Sequence, residues 1–207
     1  PTYDPNNSWC KLFTRDQANG GVIALQQLSR NQAAYETSGV DVAFNWGWDL
    51  AGIFNTQRAG RLNFNVIGTW VEKYTKQTTS VDPIYDLAGS ISSTTASAVP
   101  EWRWTLGANW KGEKLSLSWQ SRYISEMVHF NTRTGGSATA NTGVPATWYH
   151  DLTGNYGLNS HVDVRFGVNN LLDQQPRLYT PNVQANTDPS TYDVLGRRYY
   201  VGVKFKF

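Results

Sequence analysis

Hydrophobic and polar residues alternate along most of this chain. At its end, Tyr199, Val201, Val203, Phe205 and Phe207 take one set of alternate positions, and Arg198, Tyr200, Gly202, Lys204 and Lys206 take the other. Successive side chains of a strand point to opposite faces, so this segment predicts a strand lying between an apolar medium and a wet one. The pattern recurs upstream. Val162, Val164, Phe166 and Val168 alternate with Asp163, Arg165, Gly167 and Asn169, and Leu115, Leu117, Trp119 and Tyr123 with Ser116, Ser118, Gln120 and Arg122. Trp102, Trp104, Leu106, Ala108 and Trp110 oppose Arg103, Thr105, Gly107 and Asn109, and Val40, Val42, Phe44, Trp46 and Trp48 oppose Asp41, Ala43, Asn45 and Gly47. Two further strands are less regular: Leu62, Phe64, Val66 and Trp70 are offset by Ile67 and Val71 on the other face, and Trp148 to Tyr156 puts His150 and Gly154 on the apolar side. The stretch from Val22 to Leu28 alternates most weakly and is read as one more strand.

The connectors alternate as well. Residues 111–114 and 157–160 are tight polar turns, whereas 77–100, 125–145 and 171–196 are long and rich in Ser, Thr, Asn, Gly and Pro. Short turns on one side and long loops on the other are the asymmetry of an outer-membrane barrel. A compact soluble domain rarely carries three structureless loops of more than about 15 residues. Tryptophan, which prefers membrane interfaces, gives a length check. The strand from Trp102 to Trp110, at about 3.3 Å per residue and a tilt of about 40°, climbs roughly 20 Å, close to an apolar band of about 25 Å. A soluble β-sandwich also alternates, but its apolar faces meet another sheet and its loops are shorter.

Composition narrows the choice. Of 207 residues, 16% are charged and 14% aromatic, against roughly 25% charged in an average soluble domain. Mean hydropathy is −0.48, and no run approaches the roughly 18 apolar residues of a membrane-spanning helix. Any span must therefore be built from strands. The formal net charge of +2 is spread over isolated Lys and Arg residues, without the clustered basic face that nucleic acid requires. Cys10 is the single cysteine, either a free thiol or half of a bridge to sequence outside the chain. The opening residues, Pro1 to Pro5, lack the basic start and apolar core of a secretory signal, which for an exported protein is then expected upstream.

Catalysis finds little support. His129, His150 and His161 are scattered, none at metal-ligand spacing and none beside a nucleophile motif. His150 and Asp151 are adjacent, but neighbours on a strand point to opposite faces and cannot form a dyad. The chain is expected to be no enzyme and to carry no metal or cofactor.

The last residues resemble an outer-membrane assembly signal: Tyr200, Gly202, Phe205 and the terminal Phe207 stand at the spacing that barrel-assembly machinery recognises. Upstream, Val168-Asn-Asn-Leu-Leu-Asp173 followed by Pro176, and then Tyr192-Asp193-Val-Leu-Gly196-Arg197-Arg-Tyr199, resemble the last two strands and the loop of TonB-dependent transporters. Cys10-Lys-Leu-Phe-Thr-Arg15 and the stretch from Asn31 to Asp41 resemble proteobacterial members, so the resemblance covers nearly the whole chain. It implies an all-β, antiparallel transmembrane barrel in the outer membrane of a Gram-negative bacterium. Such transporters have about 22 strands around a plugged lumen, whereas seven or eight are readable here. Residues 1–207 are thus expected to be the C-terminal portion of the barrel, with plug domain and N-terminal strands absent. In this family the Cys before the Arg often pairs with an upstream Cys, which would be missing with the rest.

The implied function is energised uptake of a scarce solute, an iron-siderophore chelate or an oligosaccharide. The implied partners are outer-membrane lipid, the TonB complex acting through the plug, the assembly machinery, the remainder of the barrel and the small solute. Possible ligand contacts lie in the long loops at Tyr85, Asp86, His129, Phe130, Tyr179 and Tyr192. The lumen-facing residues Arg103, Arg122, Asp163, Arg165, Lys204 and Lys206 either guide a charged solute, bond to the plug, or satisfy one another in a wet interior. Two other readings remain open at this point. A free-standing eight-strand barrel with a structural or adhesive role requires residues 20–30 to pair with the last strand. A soluble carbohydrate-binding sandwich requires a second sheet over the apolar face.

Overall fold

The computed structural model describes residues 10–26, 34–77, 83–92, 98–136, 142–180 and 184–206. The chain divides into two units, Pro1–Ala33 and Ala34–Phe207. In the first, β1 (Phe13–Arg15) and β2 (Val22–Leu25) form an antiparallel hairpin. The Asp16 carbonyl closes its turn by accepting the Gly20 N–H at 2.8 Å, with Gly20 at φ 72°. The strand expected from Val22 to Leu28 is therefore present over Val22–Leu25, and residues 27 and 28 lie outside the described part. Among the described residues its ladder runs to β1.

In the second unit, β3 (Ala34–Asp49) turns through the short helix α1 (Leu50–Phe54) into β4 (Arg61–Gln77). Three two-residue strands follow, β5 (Tyr85–Asp86), β6 (Ser90–Ile91) and β7 (Ala98–Val99), and then the long pair β8 (Trp102–Lys111) and β9 (Leu115–Ile124). After β10 (Met127–His129), α2 (Phe130–Thr134) and β11 (Gly143–Val144) come β12 (Thr147–Gly157), β13 (Val162–Asn169) and β14 (Arg198–Phe205). The long strands form one antiparallel meander in the order β14-β13-β12-β9-β8-β4-β3, with β5 added to the end of β4.

Register decides which side chains share a face. Trp70, Gly68, Val66, Phe64 and Leu62 of β4 stand opposite Trp102, Trp104, Leu106, Ala108 and Trp110 of β8. These continue to Tyr123, Ser121, Trp119 and Leu117 of β9. The same face runs through Trp148 to Tyr156 of β12, Phe166 of β13 and Val201 of β14. This apolar face is open: Phe44 is 51% exposed and Val201 76%. In water each such side chain would forgo about 1.5–3 kcal/mol of burial, and among the described residues no second sheet covers them. The sandwich reading fails on that point.

The irregularity expected in β4 has a local cause. Lys73 pairs with Ser38 and Val71 with Gly39, leaving Glu72 as an extra residue in the ladder. Such a bulge reverses the phase of a strand. Before it, even-numbered residues face the apolar side; after it, Lys73 and Thr75 do, while Tyr74 and Lys76 join the polar face. Gly68 and Gly154 are explained by their neighbours. A Cβ at Gly68 would overlap the Trp104 ring and one at Gly154 the Phe166 ring, so each glycine is the seat of an aromatic ring lying flat on the sheet.

The buried core lies elsewhere. Ile91, Ile124, Met127, Val144, Tyr149, Tyr179 and Tyr192 cluster at the end of the sheet that carries the long connections. There β6, β7, β10 and β11 build a small sheet in the order β11-β10-β6-β7, with β10 and β6 parallel. The long loops, expected to be without regular structure, thus form a packed layer. Segments of two or three residues produce no periodic signal, which is why the sequence does not disclose them.

Gly154→Val is expected to displace the Phe166 ring and destabilise the sheet by about 1–3 kcal/mol. Denaturant unfolding of the detergent-solubilised protein, followed by tryptophan fluorescence, measures this. Gly157→Ala, at a site whose nearest neighbour to a new Cβ is 3.5 Å away, serves as the mild control.

Candidate functional site

The polar face of the sheet is built from side chains opposite to the aromatic ones. Its middle is a band of amides and hydroxyls: Asn65, Asn109, Ser118, Gln120, Thr153 and Asn169 line one shallow concavity, joined there by Asp151, Arg165 and Tyr200. The Asn109 amide donates to Asn65 Oδ1 at 3.2 Å, and the hydroxyls of Thr153 and Tyr200 meet at 2.8 Å. The residues expected to face a lumen, Arg103, Arg122, Asp163, Arg165, Lys204 and Lys206, fall on this side. Several are engaged locally. Arg122 lies 3.7 Å from Asp151 and Lys206 2.6 Å from Asp163. The Arg122 and Arg165 guanidinium groups stand 5.3 and 5.7 Å from the centres of the Tyr149 and Tyr200 rings.

His150 and Asp151 diverge as strand geometry requires. His150 lies on the apolar face with its ring parallel to those of Trp119 and Trp148, at 5.9 and 6.2 Å. Asp151, on the polar face, accepts the Asn170 N–H at 2.7 Å. Among the described residues no group of three His, Cys, Asp or Glu side chains is placed to hold a metal.

At the loop end the six candidate ligand contacts separate into two sets. Tyr179, Tyr192 and His129 are buried. His129 Nδ1 accepts the Asn131 N–H at 3.2 Å and caps α2. Tyr85, Asp86 and Phe130 remain at the surface of the loop layer. The Tyr85 and Phe130 rings meet edge to face at 5.6 Å, and Asp86 accepts N–H bonds from Tyr74 and Ala88. Arg133, which sequence reasoning does not single out, ties two loops together. Its Nε donates to the Asp86 carbonyl at 3.1 Å, and its guanidinium lies 3.7 and 3.9 Å from the Asp86 and Glu101 carboxylates.

The last loop is fastened at both ends by the motif residues. Asn170, fully buried and at φ 52°, closes a ring with Gln174: its Nδ2 donates to the Gln174 carbonyl and its Oδ1 accepts the Gln174 N–H. Asp173 accepts the Arg197 N–H at 2.9 Å, joining the two ends. Asp193 is clamped by both Nη atoms of Arg198 at 2.9 and 3.1 Å. Arg177 donates to Thr147 Oγ1 and the Ala146 carbonyl, and its own carbonyl accepts from Thr187. The layer is dry enough that burial pushes the Tyr179 phenol up to about 12 and the Tyr192 phenol further. The Arg198 guanidinium holds the Asp193 carboxyl below its ordinary 3.8. In the C-terminal strand Tyr200 and Gly202 face the polar side and Phe205 the apolar side; Phe207 lies outside the described residues.

Residues 4–171 match the family model described as TonB dependent receptor-like, beta-barrel. No curated protein matches the sequence. Among solved structures, the siderophore receptor PirA from Acinetobacter baumannii is similar with a TM-score of 0.53 and 15% identity, over 94% of this chain and 26% of that one. A looser likeness, with a TM-score of 0.41 and 16% identity, links 91% of this chain to 31% of the ferric-catecholate import receptor Fiu from E. coli K12. The chain thus spans about a quarter to a third of the receptors it matches.

The Asp193 clamp has a pH signature. Because its folded pKa is depressed, the stabilisation it provides is complete above the ordinary carboxylate value of 3.8 and is lost as pH falls through the lower folded value. Asp193→Asn is expected to cost about 1–2 kcal/mol at neutral pH. Amide protection factors of residues 184–197, corrected for intrinsic exchange, should fall in the variant at pH 7, and in the parent only as pH drops below the ordinary carboxylate value of 3.8.

Proposed function

Because the chain belongs to the family of TonB-dependent receptor-like β-barrels, outer-membrane transporters of Gram-negative bacteria rather than enzymes, we propose that it is the C-terminal wall and loop layer of a plugged receptor. That receptor takes up a scarce solute, an iron-siderophore chelate or an oligosaccharide, with energy delivered by TonB through the plug. The carrying observation is the sidedness of the sheet: an open aromatic face suited to lipid, a polar face suited to a wet lumen, and loops packed at one end only. The two sheet edges supply the second support. The β3 and β14 edges bear unpaired backbone groups among the described residues, and inside a bilayer these require further strands of the same barrel.

Within this reading the chain performs no covalent step. Tyr85, Asp86 and Phe130 stand at the loop surface where an incoming solute would be met, while His129, Tyr179 and Tyr192 hold the layer that presents them. Solute affinity is divided between these loops and the plug, and TonB, by remodelling the plug, opens a path along the amide-rich wall. Tyr200, Gly202, Phe205 and Phe207 serve the assembly machinery before transport begins.

The native parent protein, extracted in detergent, is expected to be about three times the length of this chain and to migrate faster on a denaturing gel before boiling than after. Uptake of its solute by cells is expected to fall to background when TonB is deleted. A heat-modifiable species of this chain's own mass would favour a small barrel instead. Uptake indifferent to TonB would overturn the energised mechanism.

A further inference from the structure

The polar face changes character along the strands. Third from the tight turns, one continuous rung reads Gly47, Asn63, Asn109, Ser118, Thr153, Gly167 and Tyr200, with no carboxylate, lysine or arginine among its residues, although the Arg61 guanidinium reaches over Gly47 from the neighbouring rung. The two rungs nearest the tight turns differ sharply. Arg61, Lys111 and Arg165 occupy one and Lys204 the next, with Lys206 just beyond the end of β14. Facing these five cations on the same rungs are two carboxylates, Asp49 and Asp163. Asp163 is already held by Lys206 at 2.6 Å. The turn residues Glu113 and Lys114 offset each other and leave the excess unchanged. The neutral rung above supplies no counter-charge, so the tight-turn mouth of the wall is a basic collar. At its β14 end it is open: a Cβ added at Gly202 meets nothing within 4 Å.

We infer that this collar docks an acidic segment of polypeptide, carried by the domain that fills the lumen in the proposed receptor; the inference rests on that reading. Its extent argues for a peptide. From β4 to β14 the cations span five inter-strand steps of about 4.8 Å, roughly 24 Å, which an extended segment of about seven residues covers. A small anionic solute would engage only one or two of them. Lipid headgroups lie on the opposite face of the sheet and cannot reach the collar.

In the full-length receptor, the double reversal Lys111→Glu with Lys204→Glu is expected to make limited proteolysis of the lumen domain at least about tenfold faster, since like charges across an interface cost several kcal/mol. The neutral pair Lys111→Gln with Lys204→Gln should fall between. Wild-type receptor in 1 M salt, where screening acts within about 3 Å, should behave like the neutral pair. An unchanged heat shift on gels verifies that the barrel itself has folded in each variant. Proteolysis unaffected by reversal and by salt would overturn the inference, as would a variant whose lumen domain stays protected while uptake of an anionic solute alone declines. Failure of the receptor reading itself is separately visible, as a wild-type protein with no lumen domain or no TonB-dependent uptake.

Discussion

A backbone N–H or C=O left without a partner in hydrocarbon costs several kcal/mol, so a chain that crosses a bilayer with strands must pair every one of them. The meander β3-β4-β8-β9-β12-β13-β14 meets that demand between its own strands, each laddered to its neighbour, and leaves the outer edges of β3 and β14 to be paired by further strands. Once the backbone is fixed in this way, the side chains have no freedom of side. Every second residue faces lipid and every second residue faces the interior. This explains why burial is inverted relative to a soluble domain, with Trp46, Trp48, Val201 and Phe205 widely exposed and the buried cluster of Ile91, Met127, Tyr179 and Tyr192 set among the loops.

Within that frame the two faces are specified by different chemistry. On the outer side, aromatic rings are seated over small residues: Trp104 on Gly68 and Phe166 on Gly154. Trp70 and Trp102, at 5.8 Å, and Tyr123 and Trp148, at 4.7 Å, mark the level near the long loops, and Trp48 and Phe64, at 5.5 Å, mark the opposite one. On the inner side, short polar groups keep the wall low, and most of the charge lies toward the two ends, with Asp151 and Arg165 reaching the central concavity. The loop end uses its charges to fasten loops, through Arg133, Arg177 and the Asp193–Arg198 clamp. The turn end carries Arg61, Lys111, Arg165 and Lys204 on its last two rungs, with Lys206 beyond them held by Asp163.

What the sequence discloses is the part governed by a period of two. The strands containing Trp102, Leu115, Val162 and Tyr199 are legible because each alternates over its membrane-facing length, with Ser121 the one break in the second. The β4 pattern blurs because a bulged Glu72 reverses the phase in mid-strand, and a single inserted residue has no signature of its own. The loop layer is less legible still. Its parallel β10–β6 contact joins residues nearly forty positions apart through two-residue pairings, and the burial of Tyr179 and Tyr192 depends on that long-range assembly. The run from Val168 to Asp173 stands out in sequence without disclosing its task; the structure assigns it to closing a loop, through the Asn170 ring with Gln174 and the Asp173 bond to Arg197.

The parity of the sheet carries the last step. Seven antiparallel long strands leave β3 and β14 running in the same direction, so joining these two edges directly would create a parallel seam. A parallel seam needs a slanted ladder unlike the rest of the sheet. Closure by antiparallel pairing throughout requires an odd number of additional strands, giving an even total, as single-chain bacterial barrels have. A total of about 22 strands satisfies this, whereas seven alone cannot. The long β3 edge, whose outward row of Val40, Val42, Phe44, Trp46 and Trp48 continues the lipid-facing pattern without a break, is therefore an internal strand of a larger barrel whose neighbour lies outside the described sheet.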